Sequence, residues 1–278
     1  MCVSSKPPSI WSLLERSSLL LCVHTIEFLA YLVLCLVSFI FMKAITVQVE
    51  EAKELRVVIR VGGSVVASPI NTELIGKYVE VLRKLERLKH KVVLVVGGGA
   101  LARDFIQYAK SLDLNEPEQD VTAISVSRLI AQLFALKLDK IGTKTVPTSL
   151  EDMAKELEIG KMVVMGGLKP GMTTDAVAAL VAEKIKADLL VKATDQEGIY
   201  TRDPRKHKDA KKLDRLSFDD LTRLFEQNKH KAGIHQIIDP EAVKILRKSR
   251  TKTIVVNGFK PKNVLLAVQR KKIGTIIE

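Results

Sequence analysis

The sequence predicts an α/β fold: a three-layer sandwich with a mostly parallel central sheet. Three features carry that reading. Arg56–Val61 is a short β-branched run, and Val92–Val96 is apolar at every position, which suits strands buried on both faces. Each run ends in a glycine cluster. Segments with helical apolar spacing separate the runs, and strands alternating with helices imply parallel strands covered by their connecting helices.

The elements follow in order. Arg56–Val61 is β-branched and leads into the tight turn Gly62-Gly63-Ser64. Leu74, Tyr78, Val81, Leu85 and Leu88 recur at steps of four and three, which places them on one helical face. Val92–Val96 is the second strand and stops at Gly97-Gly98-Gly99. Ala100–Leu112 and Val121–Leu138 read as helices. Met162–Met165 is a third strand, followed by Gly166-Gly167 and a loop from Leu168 to Thr173, with Thr174 as the expected cap of the next helix. Leu189–Val191 begins a fourth strand that ends near Thr194. Ser217 with Asp220 forms a variant capping box. Asp239-Pro240 opens another helix running to Lys248. Ile254–Val256 and Thr275–Ile277 complete the strands, and no 20–50-residue repeat of the solenoid kind is present.

The first 42 residues differ from the remainder. All three cysteines (Cys2, Cys22, Cys35), the single Trp11 and a largely apolar run from Leu19 to Met42 lie there. Residues 1–42 are therefore treated as an apolar, helix-prone extension and residues 43–278 as the working domain. The run is long enough to cross a bilayer, but Glu27 would be costly at its middle. The uncharged stretch Phe28–Met42 has the length of a signal-peptide core, yet bulky Phe41-Met42-Lys43 follows it instead of small residues. The open readings are a dispensable extension with Met42 as the true start, a membrane anchor, and a signal. Membrane contact is expected only if the extension is retained. The cysteine-free body fits a reducing compartment, and a cytoplasmic location is expected.

Glycine clusters at strand ends bear on function. In open parallel sheets ligands bind beyond the carboxyl ends of the strands. Glycine lets the backbone approach closely and aim N–H groups at an anion. One such cluster is commonly only a turn, whereas three on one edge point to a site for several phosphates. No G-x-x-x-x-G-K-[ST] is present, which excludes a P-loop, and no G-x-G-x-x-G opens a helix.

Three longer stretches sharpen the reading: Gly97-Gly98-Gly99-Ala-Leu-Ala-Arg103, Gly166-Gly167-x-x-Pro170-Gly171-x-Thr173-Thr174-Asp175-Ala-Val-Ala-Ala-Leu180, and Lys192-Ala-Thr194-x-x-x-Gly198-x-Tyr200-x-x-Asp203-Pro204. Together, and in this order, they resemble the amino-acid kinase superfamily, and within it the archaeal-type uridylate (UMP) kinases. The resemblance spans about Val57 to Glu278. It implies an amino-acid-kinase-like fold, an ATP-dependent phosphorylation of UMP to UDP in pyrimidine nucleotide synthesis, Mg²⁺ accompanying ATP, and a homo-oligomer, specifically a hexamer built from dimers.

It also implies roles by position. Gly63, Ser64, Gly99 and Arg103 would hold ATP phosphates, and Thr194, Tyr200 and Asp203 would line the adenine and ribose pocket. Gly98 and Asp120 would contact UMP, and the loop Leu168, Lys169, Pro170, Gly171, Met172, Thr173 and Thr174 would wrap its phosphate and sugar. Arg60 and Asp175 are the candidate catalytic residues: Arg60 supplies positive charge, and Asp175 organises the cations. Two positions depart from the superfamily pattern. Arg60 stands where many members have Lys, and Asp195-Gln196-Glu197-Gly198 replaces the familiar Asn-Val-Asp-Gly. Lys192 matches the family by position without an assigned role.

Two rival functions remain in view. One is a kinase of another small acid, of the acetylglutamate or aspartate type, against which the Pro170-Gly171-x-Thr173-Thr174 loop argues. The other is a non-catalytic nucleotide- or nucleic-acid-binding protein, which the net charge of +12 brings to mind. Its basic runs, such as Arg205-Lys-His-Lys208 and Arg270-Lys-Lys272, carry no interleaved aromatic platforms, so they read as solvated surface, and no nucleic-acid partner is expected. No His or Cys pair has metal-ligand spacing, and no protein-bound metal site is expected.

Overall fold

A computed structural model describes residues 31–38, 54–227 and 237–278. The chain divides into two compact units, Met1–Lys53 and Glu54–Glu278. Within the first, residues 31–38 form helix α1, and the large apolar side chains among them are exposed. The remainder of the Leu19–Met42 run, including Met42, lies outside the described residues.

The second unit is built on a seven-stranded sheet. Its strands are β1 (Arg56–Val61), β2 (Lys91–Val96), β3 (Val163–Met165), β4 (Leu189–Thr194), β7 (Arg215–Leu216), β8 (Thr253–Asn257) and β9 (Thr275–Ile277), in the order β3-β2-β1-β4-β8-β9-β7. The first five in that order are parallel, and β9 runs antiparallel to β8. A separate two-stranded ribbon joins β5 (Ile199–Tyr200) to β6 (Lys212–Leu213). The mostly parallel sheet agrees with the sequence reading. The antiparallel turn at β9 and the two-residue strands do not show in the sequence, because such short elements carry no periodicity.

Alternation along the strands sorts the core into two layers. Val57, Ile59 and Val61 point to one face, where they pack with α3 (Thr72–Arg87), α5 (Glu116–Leu138) and α10 (Lys262–Val268). Val58, Val93, Val95 and Leu190 point to the other, against α6 (Leu150–Glu158), α7 (Thr174–Ile185), α8 (Phe218–Gln227) and α9 (Pro240–Ser249). The single turn α2 (Gly63–Val66) and α4 (Gly99–Ser111) begin at the glycine clusters themselves.

Local sequence sets most helix ends. Asn115 caps α5 in a full capping box with Glu118, so the helix begins at Glu116, ahead of the Val121 start expected from apolar spacing. Thr173, one residue earlier than expected, caps α7, its Oγ1 accepting from Ala176 N–H at 3.1 Å. Ser217 and Asp220 exchange the expected capping bonds, and Asp239 caps α9 ahead of Pro240. By length and composition Glu116–Ile141 would suffice to cross a membrane. Instead Val126, Ile130, Phe134 and Leu138 are buried in the core of this unit.

Candidate active site

Strands β1 to β4 end along one edge, and the glycine turns gather there. Gly62 N–H donates to Ala193 O at 2.9 Å and Gly97 N–H to Val61 O at 3.0 Å, which ties the first two turns into the sheet. These turns press together backbone to backbone. A Cβ on Gly63 would lie 2.0 Å from Gly99 N, and one on Gly99, whose φ is +63°, would lie 2.4 Å from Gly63 O. Ser68 bridges them, donating to Gly63 O at 3.2 Å and accepting from Ala100 N–H at 2.7 Å. Among the described residues the N–H groups of Gly63, Ser64, Gly98 and Gly99 have no backbone acceptor.

Below the turns sits a charged cluster. Arg60 and Lys192 are register partners on adjacent strands and project to the same face of the sheet. Asp175, in the first turn of α7, lies between them. Lys192 Nζ donates to Asp175 Oδ1 at 2.5 Å and to Oδ2 at 2.6 Å. Arg60 Nε is 2.7 Å from Asp175 Oδ1, an ion pair at an angle outside hydrogen-bond geometry. Arg60 Nη2 donates to Thr174 Oγ1 at 3.0 Å, and Asp239 N–H donates to Asp175 Oδ2 at 3.2 Å.

Burial of this order sets the electrostatics. The side chains of Arg60, Asp175 and Lys192 are 16%, 12% and 4% exposed. Desolvation acts to raise the Asp175 pKa, but the Arg60 guanidinium and the Lys192 ammonium outweigh it and hold the carboxyl below its ordinary value. Desolvation and then the neighbouring Arg60 charge push the Lys192 ammonium down to about 8, against the attraction of Asp175. Two cations on one carboxylate leave an excess positive charge at the floor of the site.

A cleft of about 370 Å³ opens over this floor. It brings together Arg60, Gly63, Ser64, Gly98, Gly99, Arg103, Thr174, Asp175 and Thr194, all singled out from the sequence. Tyr200 and Asp203 stand outside it. Asp203 contacts a residue of the lining: its Oδ1 accepts from Arg205 N–H at 3.0 Å and from Arg205 Nε at 3.2 Å, and Arg205 lines the cleft. The backbone N–H of Arg205, the largest influence, holds the Asp203 carboxyl below its usual range. Leu168 to Thr173 form a separate loop beyond the cleft lining. There Asp120 Oδ2 accepts from Gly171 N–H at 2.6 Å. Thr173 Oγ1 donates to Asp239 Oδ2, linking the loop to the start of α9.

Some participants carried little signal in the sequence. Lys192 is the lone charge in the strand Leu-Leu-Val-Lys-Ala-Thr, where all six residues are buried; that interruption is the signal for a site residue. Arg205 reads as part of a basic run and Asp239 only as a helix start. Gln196 lines the cleft with a buried Oε1 that has no hydrogen-bond partner among the described residues. Ser127 and Arg128, which hold the Gly167–Leu168 backbone, sit inside an apolar helix and show nothing in sequence. Among the described residues no group of three His, Cys, Asp or Glu is placed to hold a metal ion.

Comparisons with known proteins bear on this geometry. Residues 55–257 match the model of the amino acid kinase family. The chain is 40% identical over 226 residues to the uridylate kinase of Methanocaldococcus jannaschii, covering 81% of this chain and 100% of that protein. It is 42% identical over 196 residues to the uridylate kinase of Sulfolobus acidocaldarius, covering 70% and 86%. The crystal structure of uridylate kinase from Archaeoglobus fulgidus superposes with a TM-score of 0.73 at 36% identity, over 81% of this chain and 100% of that one. The UMP kinase of Bacillus anthracis shares the fold, with a TM-score of 0.69 at 20% identity over 80% and 95% of the two chains. A parallel sheet of this order, with glycine turns meeting over a buried charged cluster and with these relatives, places the chain in the amino acid kinase family.

Proposed function

We propose that this protein transfers the γ-phosphoryl group of ATP to UMP, giving UDP and ADP. The observation that carries the reading is the Arg60–Asp175–Lys192 cluster beneath two touching glycine turns, together with about 40% identity to uridylate kinases. Phosphoryl transfer asks a protein for alignment and for charge stabilisation on the equatorial oxygens. The free N–H groups of Gly63, Ser64, Gly98 and Gly99 supply neutral donors, and Arg60, Lys192 and Arg103 supply positive charge. A UMP phosphate oxygen forms the new bond to the γ-phosphorus as the bond to the β-bridging oxygen breaks. The attacking oxygen is already anionic, so no general base is required. Asp175 holds the two buried cations apart and in register.

A divalent cation with ATP is the general requirement of such a kinase, and magnesium is the proposed ion. The donor set fits an ion that arrives on ATP and not one caged by protein. The cleft is lined by cations and backbone N–H groups, with Asp195 the one lining carboxylate outside the buried cluster. When bound, the ion neutralises charge on the phosphate oxygens. Thr194, Tyr200 and Asp203 are assigned to the adenosine side, and Gly98, Asp120 and the 168–174 loop to UMP.

The proposed working form is a homo-oligomer, a hexamer by resemblance, in the cytoplasm. Exposed Val121, Leu129, Leu133 and Leu136 along α5 are consistent with self-association. Light scattering of the purified protein tests the assembly. A coupled assay with ATP over nucleoside monophosphates, acetylglutamate and aspartate tests the substrate: turnover on UMP is expected. Turnover on an acidic amino acid with none on UMP overturns the substrate and leaves the fold standing.

A further inference from the structure

Arg128 lies on α5 and forms no ion pair with any described carboxylate. Its guanidinium is spent instead on two successive backbone carbonyls of the loop after β3. Nε donates to Gly167 O and Nη2 to Leu168 O, each at 2.9 Å. Two neighbours on the same helix fasten the same segment. Ser127 Oγ accepts from Gly167 N–H at 2.8 Å, and Asp120 Oδ2 accepts from Gly171 N–H at 2.6 Å. The fit is close: a Cβ on Gly166 would lie 2.7 Å from Arg128 N.

Peptide planarity gives this arrangement a consequence. In a trans peptide the carbonyl and the following N–H point in opposite directions. Carbonyls of Gly167 and Leu168 turned toward α5 therefore turn the N–H groups of Leu168 and Lys169 away from it. Neither N–H has an acceptor among the described residues. The one guanidinium on both carbonyls also polarises the two peptides, making each outward N–H a stronger donor. The planar fork of arginine matches two adjacent carbonyls in a way that a lysine ammonium does not.

We propose that Arg128 is a positioning residue: by gripping the Gly167 and Leu168 carbonyls it presents two adjacent backbone N–H groups to the acceptor nucleotide. The proposal deepens the reading that this loop holds UMP, and rests on it. Arg128 acts through the backbone and touches no reacting atom.

Steady-state kinetics and amide hydrogen exchange on full-length Arg128→Met and Arg128→Lys provide the test. For Arg128→Met the KM for UMP is expected to rise about tenfold, with the KM for ATP within twofold of the parent. The amides of Gly167 and Gly171, which are bonded to α5, are expected to exchange at least tenfold faster, while those of β1, β2 and β4 stay protected. Arg128→Lys is expected to recover part of both effects. Equal rises in the two KM values, or unchanged exchange at Gly167 and Gly171, overturn the proposal. Should Arg128→Met fail to fold, Arg128→Lys carries the same comparison with about threefold changes expected. Should the parent protein not phosphorylate UMP, the proposed function fails by itself, and the exchange measurement still decides the grip of Arg128.

Discussion

Lys192 concentrates the chemistry of the site in one titratable group. Its ammonium is pushed down to about 8 by burial and by Arg60, so its charge is lost within a range ordinary buffers reach. The kcat/KM for ATP is expected to fall as pH rises through about 8. Bound nucleotide phosphates favour the charged form, so the corresponding limb of kcat lies at higher pH. In Lys192→Arg the guanidinium stays protonated, and the limb should be absent below pH ~10; a pH profile unchanged by this substitution would sink the assignment. Stability responds with a defined sign. The folded pKa of Lys192 lies below its ordinary 10.5, so between about 8 and that value the unfolded chain binds the extra proton, and its contribution to stability rises with pH. Asp175 acts in the same direction at acid pH. Its folded pKa is lowered, so its contribution is present above the ordinary 3.8 and disappears as pH falls through the folded value. Asp175→Asn leaves two buried cations without their carboxylate. A loss of about 3–5 kcal/mol in denaturant melts is expected, together with at least a hundredfold fall in kcat.

Among the elements, the glycine turns are the least replaceable. Gly63 and Gly99 meet where no side chain fits, and Gly99 also holds a positive φ. Gly63→Ala and Gly99→Ala are each expected to reduce kcat/KM at least a hundredfold, because the turns must part and their free N–H groups move with them. Gly76, in the middle of α3, has nothing within 4 Å of an added Cβ. Gly76→Ala is therefore the control, with unchanged kinetics and a stability gain of about 0.5–1 kcal/mol from helix propensity. This contrast marks how far the sequence is legible at this scale. Adjacent glycines after apolar runs announce strand ends. Their mutual contact is a property of β1 and β2 lying side by side. The three six-residue strands β1, β2 and β4 are readable for the same reason that the short ones are not: near-continuous burial leaves a long run, whereas β5, β6 and β7 span two residues each.

For the whole molecule, the two units give a direct test of the proposed boundary. The second unit, Glu54–Glu278, contains the whole sheet and both core layers. A protein starting at Lys43 is expected to keep the kcat and thermal midpoint of the full chain, within twofold and about 2 °C; loss of folding on that truncation would overturn the proposed division at residue 42. Periodicity and glycine placement were enough to establish an α/β fold with a mostly parallel sheet, because burial on two faces must be written into the order of residues. Glycine placement marked the sheet edge where the turns of the cleft meet, whereas Arg103, Thr174 and Thr194 of its lining were named only through the family resemblance. Tertiary structure alone decided that Arg60, Asp175 and Lys192 form one cluster. The first and last are more than 130 positions apart in sequence and meet only through β1–β4 pairing. It alone assigned Ser127, Arg128 and Asp120 to the loop after β3, since hydrogen bonds to backbone carbonyls and amides leave no trace in residue type, and a polar residue on a helix reads the same whether it faces solvent or a neighbouring chain segment.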